Sequence, residues 1–257
     1  VRRPRLILVP FWLTYVFLYA PILVLVVMSF NSGKSPYVYE GFSLKWFGEL
    51  AGNATVRQGL VNTLIVAVGA TVLSTVLGTL LAVGMARYTR SRLLDAFGLL
   101  PAVMPDLALA IGLLIFYSAI RMTLGLHSIV LAHAVFGMAF VAAVVRTRLA
   151  HADTSLEEAS RDLGATPLTT FLRITLPTLA PGIAAGALLA FTLSIDEFVL
   201  AFFTAAPTEP TLPIVIYSMV RFGVTPQINA LATLLLAVSF TVVIAAQRMT
   251  RLTESLR

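Results

Sequence analysis

Asp106, Asp196 and Glu197 fall inside long apolar stretches, and no Lys or Arg accompanies them there. Placing an aspartate at the centre of a membrane helix costs roughly 2.5 to 3.5 kcal/mol, so such groups need water, a proton or a cation. Their chemistry would be to offset the charge of a cationic solute or to relay a proton. The plainer alternative is that they bond only to Ser, Thr or backbone groups, or stay protonated. At about 100° per helical residue, Asp196 points some 200° away from Ser194, whereas Glu197 returns to within about 60° of it. Asp196 is therefore expected on a water-filled path and Glu197 in a hydrogen bond across a helix interface. Asp106 follows Pro105, whose ring predicts a kink beside the carboxyl. His133 has no companion at metal-ligand spacing and reads as a packed, hydrogen-bonded side chain.

A second group of residues stands between two apolar stretches, over 153–177. It contains Glu157-Glu158-Ala159-Ser160-Arg161-Asp162-Leu163-Gly164 and then Ile174-Thr175-Leu176-Pro177. Ser155 with Glu158, or Thr154 with Glu157 one residue earlier, reads as a capping box that starts a helix near residue 155. Gly164 suits a left-handed C-terminal cap. Thr166-Pro167 reads as an N-cap and first-turn proline opening a second helix, with Leu168, Phe171, Leu172 and Leu176 on it. Pro177 is expected to mark entry into the next span. A capped surface connection needs no partner. These apolar residues, however, cannot all be satisfied in water, and a docking partner is the simpler account.

The elements that must carry these groups follow from composition. Mean hydropathy is +0.92 and only 12% of residues are charged, against about 25% in soluble domains. Six segments are long enough to span a bilayer: 6–30, 60–86, 97–120, 128–147, 178–204 and 228–247. Each reaches the roughly 20 apolar residues that a spanning helix needs, without the period-two alternation of barrel strands. The expected class is an all-α membrane protein with six transmembrane helices in a single domain, 1–257. The first span could be a signal peptide, since Arg2, Arg3 and Arg5 precede it. Its length and the lack of a small-x-small cleavage site favour a retained helix. Absence of cysteine removes disulfides and thiolate metal sites.

With the N-terminus inside, thirteen of the eighteen Lys and Arg fall on the cytoplasmic side, and only Lys34, Lys45, Arg57, Arg121 and Arg221 lie outside. That distribution satisfies the positive-inside rule. It also explains the net charge of +6 as topology and headgroup attraction, so no nucleic-acid partner is implied. Ala70, Ser74, Gly78, Ala82 and Ala86 form one small-residue stripe, and Gly182, Gly186, Ala190 and Ser194 another. Both read as seams for close helix packing. No G-x-x-x-x-G-K-[ST] occurs, so any ATP is hydrolysed by another chain. Trp46 and Phe47 with Lys45 and Glu49 predict a short helix at the headgroup level. Residues 205–227 could dip toward the pore or contact an external protein.

The spacing of the 157–177 loop resembles the segment by which permease subunits of ABC importers engage their ATPase. The resemblance extends over nearly the whole chain, through Tyr19-Ala20-Pro21, Ser29-Phe30-Asn31-Ser32, Gly41-Phe42-Ser43-Leu44-Lys45-Trp46, Met104-Pro105-Asp106, Phe191 to Glu197 and Asn229-Ala230-Leu231-Ala232-Thr233. Together these are similar to the second permease subunit of spermidine/putrescine importers. The resemblance implies a type I ABC importer permease (MetI-like) fold in a bacterial inner membrane. It further implies a heterodimer with a second permease subunit, two ATPase subunits that hold ATP and Mg, and a periplasmic polyamine-binding protein. Carried onto this chain, it puts Glu158, Ala159, Gly164, Ile174 and Pro177 in the ATPase-coupling loop and Asp196, Asp106 and Glu197 along the substrate pathway. Ser160 stands where alanine is commoner, and Asp196-Glu197 where two aspartates are usual. Rival readings are an importer of ferric ion, thiamine or sulfate, a proton-coupled carrier, or a purely structural membrane subunit.

Overall fold

A computed structural model describes residues 5–35, 37–88 and 91–255. Arg2, Arg3, Arg90 and Arg257, counted above for orientation, lie outside them, as do the side chains of Arg5, Arg92, Arg248 and Arg251. The described chain is helical, apart from one isolated antiparallel bridge between Asn31 and Phe42. In order, the helices are α1 (Arg5–Ser29), α2 (Lys45–Gly52), α3 (Ala54–Arg87), α4 (Arg92–Leu99), α5 (Asp106–Ala119), α6 (Leu126–Ala150) and α7 (Ser155–Asp162). They continue with α8 (Pro167–Thr170), α9 (Leu176–Asp196), α10 (Val199–Thr204), α11 (Leu212–Arg221) and α12 (Pro226–Ser255).

Two expected spans are broken. The third is not one helix over 97–120: Leu93–Ala102 and Asp106–Ala119 meet at 103°. Pro105, at ψ 132°, cannot donate to the preceding turn and its ring drives Met104 out of helical geometry. The fifth, expected to run to 204, stops at Asp196, where Glu197 turns extended at ψ 109°. By length and composition, four helices can cross a membrane, or five if the bent pair counts as one. The expected six is not reached among the described residues. The last expected span, 228–247, lies in α12, whose described apolar part is Pro226–Val238.

The chain divides into two compact units, residues 1–57 with 216–257, and residues 58–215. In the first, α12 packs along α1 and against α2. Asn31, fully buried, organises the connection from α1 to α2. Its amide donates to the carbonyls of Ser35 (3.0 Å) and Val38 (2.7 Å), and its Oδ1 accepts from Gly33 N–H (3.3 Å) and Glu40 N–H (2.8 Å). The expected short helix forms as α2, with Lys45 paired to Glu49 at 3.8 Å. Trp46, however, is not laid out at an interface: it is 7% exposed, and its indole donates to Asn31 O at 2.7 Å. A buried indole N–H needs an acceptor, and this turn of chain offers one. Asn31→Ala strips four backbone groups of their partner at a local cost of about 2 to 3 kcal/mol. Limited proteolysis of the solubilised protein should then cut within 32–43 about thirtyfold faster; an unchanged rate would refute this.

In the second unit α6 is the core element. Ala132, Ala139, Val141, Ala142 and Val145 on it are fully buried. Both small-residue stripes pack on it. A Cβ at Gly78 would stand 2.6 Å from Met138 O and 2.8 Å from Val141 Cβ, and one at Gly186 would stand 3.3 Å from Val141 Cα. Gly137 of α6 meets Ser74 of α3 and Ala190 of α9, so three backbones converge there. With little gain from burying apolar groups against one another in lipid, close approach supplies the dispersion energy. The α3 stripe ends at Ala82, since Ala86 is exposed. At the other end of this unit, residues 204–212 are fastened down. Asn62 donates to Pro210 O (2.9 Å), Leu212 N–H to Thr63 Oγ1 (2.8 Å), Leu126 N–H to Glu209 Oε2 (2.9 Å) and Ser128 Oγ to Thr204 O (2.7 Å).

Candidate acidic site and docking loop

The break after Asp196 is built by Glu197. Its carboxylate accepts from Leu200 N–H at 3.0 Å, satisfying one of the free donors with which α10 begins. In an apolar surrounding an unpaired backbone N–H is costly, so the side chain holds the break open. Glu197 thus bonds to the backbone of the next helical segment, not to a neighbouring span. α10 packs on α5 through Leu200, Leu109 and Leu113. This brings the start of α5, which carries Asp106, toward the break. The three carboxyls that the sequence singled out therefore stand at helix interruptions, Asp106 at the start of α5 and Asp196 and Glu197 between α9 and α10. Asp106, first residue of α5, also lies where the helix dipole favours negative charge. Asp106 and Asp196 are exposed and Glu197 is half-buried. His133 is 3% exposed and joins Ser194 at 2.7 Å, a packed and hydrogen-bonded histidine as read from the sequence.

In the loop, the helix end is as anticipated and the start is not. Gly164 has φ +84°; its N–H bonds Arg161 O at 2.9 Å, and Ala165 N–H bonds Ser160 O at 3.1 Å. This is the Schellman pair of bonds. No capping box forms. Thr154 is the N-cap without a side-chain bond, and Asp153 Oδ1 accepts from Ser155 N–H at 2.9 Å instead. A carboxylate one residue earlier takes the donor, and that backbone bond, with the Ser155 hydroxyl, holds the Asp153 carboxyl below its ordinary range. Thr166 caps α8, accepting from Thr169 N–H at 3.2 Å, with Pro167 at its start.

Pro177 does not mark entry into the span, because helical chain is continuous over Pro167–Asp196. A π turn, Phe171–Thr175, with Leu176 N–H reaching Phe171 O, widens the helix where Pro177 has no N–H to give. Glu158, Ala159, Gly164 and Pro177 are exposed and Ile174 is half-buried. Leu156, Ala159, Leu163, Ala165 and Ile174 line a groove, with Leu163 89% exposed. The sequence reading missed Glu157's contacts: its Oε1 receives Arg87 Nη2 and Thr175 Oγ1, each at 3.1 Å. Arg87 lies 70 residues away, and no local pattern points to it.

The chain is 43% identical over 245 residues to the putrescine transport system permease protein PotI of Escherichia coli (strain K12), covering 92% of this chain and 87% of that one. It is 40% identical over 239 residues to the spermidine/putrescine transport system permease protein PotC of the same strain, covering 92% and 90%. Among solved structures, it matches a bacterial ABC transporter involved in import of the acidic polysaccharide alginate, with TM-score 0.73 and 18% identity over 96% of this chain and 98% of that one. The inward-facing MetNI methionine ABC transporter matches with TM-score 0.61 and 22% identity over 82% and 98%. These two show the fold, that of ABC importer membrane subunits. Residues 74–252 match the family model described as binding-protein-dependent transport system inner membrane component. With that match and relatives at 40% identity or more over about nine-tenths of its length, the chain belongs to the family of binding-protein-dependent inner membrane transport components.

Proposed function

We propose that this chain is one of two permease subunits of an ATP-driven importer and that its cargo is a polyamine, moved from periplasm to cytoplasm by alternating access. The observation that carries the cargo is the placing of Asp106 at the start of α5 and of Asp196 and Glu197 at the α9–α10 break, on elements that pack together. Three carboxyls that form no ion pair among the described residues favour a solute with several positive charges and disfavour an anion such as sulfate. The relatives named for putrescine and spermidine support the same choice. The α7–α8 loop, with its exposed leucines, serves as the surface gripped by an ATPase subunit, and the distribution of basic residues puts it and both termini in the cytoplasm. ATP and Mg belong to a pair of such ATPase subunits. A periplasmic binding protein delivers the polyamine on the opposite face. Contacts along the path must be weak, because a conduit that binds tightly cannot release.

The test is uptake of labelled putrescine and spermidine into vesicles holding the whole complex. At an effective dielectric of about 20, a charge about 8 Å from the substrate is worth about 2 kcal/mol. Asp196→Asn should therefore lower uptake about tenfold or more, and Asp106→Asn should act in the same direction. Normal flux in Asp196→Asn would sink the acidic path. Uptake that persists with no ATPase present would favour a proton-coupled carrier.

A further inference from the structure

We infer that Glu157 is the positioning residue that makes α7 move as one body with the inner ends of α3 and α9. This rests on the reading of the α7–α8 loop as the surface an ATPase grips. None of α7's residues is fully buried, so no α7 side chain is seated in the core of the bundle. Among its described polar attachments are two that leave the helix for other elements: Ser160 to Thr170 at 3.1 Å, and the carboxylate of Glu157. One oxygen of that carboxylate takes donors from two spans. Arg87 is the last residue of α3, and Thr175 ends the π turn that leads into α9. Glu157 is 14% exposed and Arg87 25%, so neither is freely solvated, and the pair is screened less than a surface ion pair. Further along, α3 and α9 are seated on α6 by glycine contacts that leave no room to slide. A pull on α7 is thus delivered to the ends of two spans through a charged, two-donor joint.

Sequence patterns did not single this residue out for coupling; Glu158, its neighbour, is exposed and takes no part in the joint. Glu157 on this view touches neither substrate nor nucleotide. It sets how much of each ATPase stroke reaches the path.

Two measurements on the whole complex in lipid vesicles test it: putrescine moved per ATP hydrolysed, and the ATP-dependent change in thiol labelling at Val103→Cys, an exposed position beside the α5 break in a chain that has no cysteine. Glu157→Gln and Thr175→Val should keep the ATPase bound and turning over. They should lower transport per ATP about 3- to 30-fold and shrink the ATP-dependent labelling change in proportion. Glu157→Gln with Arg87→Met should be no worse than the worse single change, since the two share one contact. A wild-type ratio and labelling change in Glu157→Gln overturns the inference, as does a double variant whose losses multiply. A Glu157→Gln chain that fails to assemble, beside a Thr175→Val chain of normal ratio, overturns it too. If the unaltered complex moves no putrescine, the cargo reading fails while the labelling arm still reports on the joint. If Gly164→Val leaves the ATPase bound and ATP-driven labelling intact, the docking reading fails and the inference falls with it.

Discussion

Gly164→Val should abolish ATP-driven uptake while the helix bundle unfolds at its usual temperature. The glycine sits at φ +84°, a region that costs an ordinary L-residue roughly 1 to 2 kcal/mol and a β-branched one more. Nothing lies within 4 Å of a Cβ built there, so the penalty is all backbone and no neighbour is displaced. Escape from it means giving up the Gly164 and Ala165 bonds that close α7. Released from that cap, α7 and α8 no longer hold Leu156, Leu163 and Leu168 in one arrangement, and the surface offered to a partner is lost. Uptake in vesicles and co-purification of the ATPase subunit check this, with Gly112→Ala, in open space on α5, as control. Wild-type flux in Gly164→Val would rule out the docking loop.

Gly78→Leu should cut the yield of folded protein and sharply lower the unfolding midpoint of what remains. The new Cβ alone would press on the Met138 carbonyl at 2.6 Å and on Val141, a backbone group and a fully buried core residue that cannot step aside. Overpacking of this kind costs about 3 kcal/mol or more, and here it parts α3 from α6, the helix on which the second unit is assembled. Gly84→Ala, on the same helix with nothing within 4 Å, should melt like the unaltered chain. Thermal unfolding in detergent, followed by monodispersity, compares the two. An unshifted midpoint for Gly78→Leu would mean that α3 and α6 do not meet as described.

Features decided by near neighbours in the chain could be read from residues alone. The apolar stretches were legible because lipid demands long runs and internally satisfied backbone. The kink at Pro105 followed from a missing donor, the cap at Gly164 from a left-handed turn, and the seams on α3 and α9 from repeats of four. The break after Asp196 was not legible, since no proline or glycine marks it; it exists because Glu197 turns to bond Leu200 N–H. Pro177 misled for the opposite reason, as a π turn upstream absorbs its missing donor.

Residue types and spacing were enough to establish a helical membrane chain resembling a transport family, with three carboxyls among apolar residues and a capped loop carrying leucines. Folding in three dimensions set which distant groups meet: Trp46 with the Asn31 carbonyl, and Glu157 with both Arg87 and Thr175. Local hydrogen bonding and hydropathy act over a few residues and leave a pattern in the chain. Contacts between helices depend on crossing geometry set by many small side chains at once, and no single stretch records it.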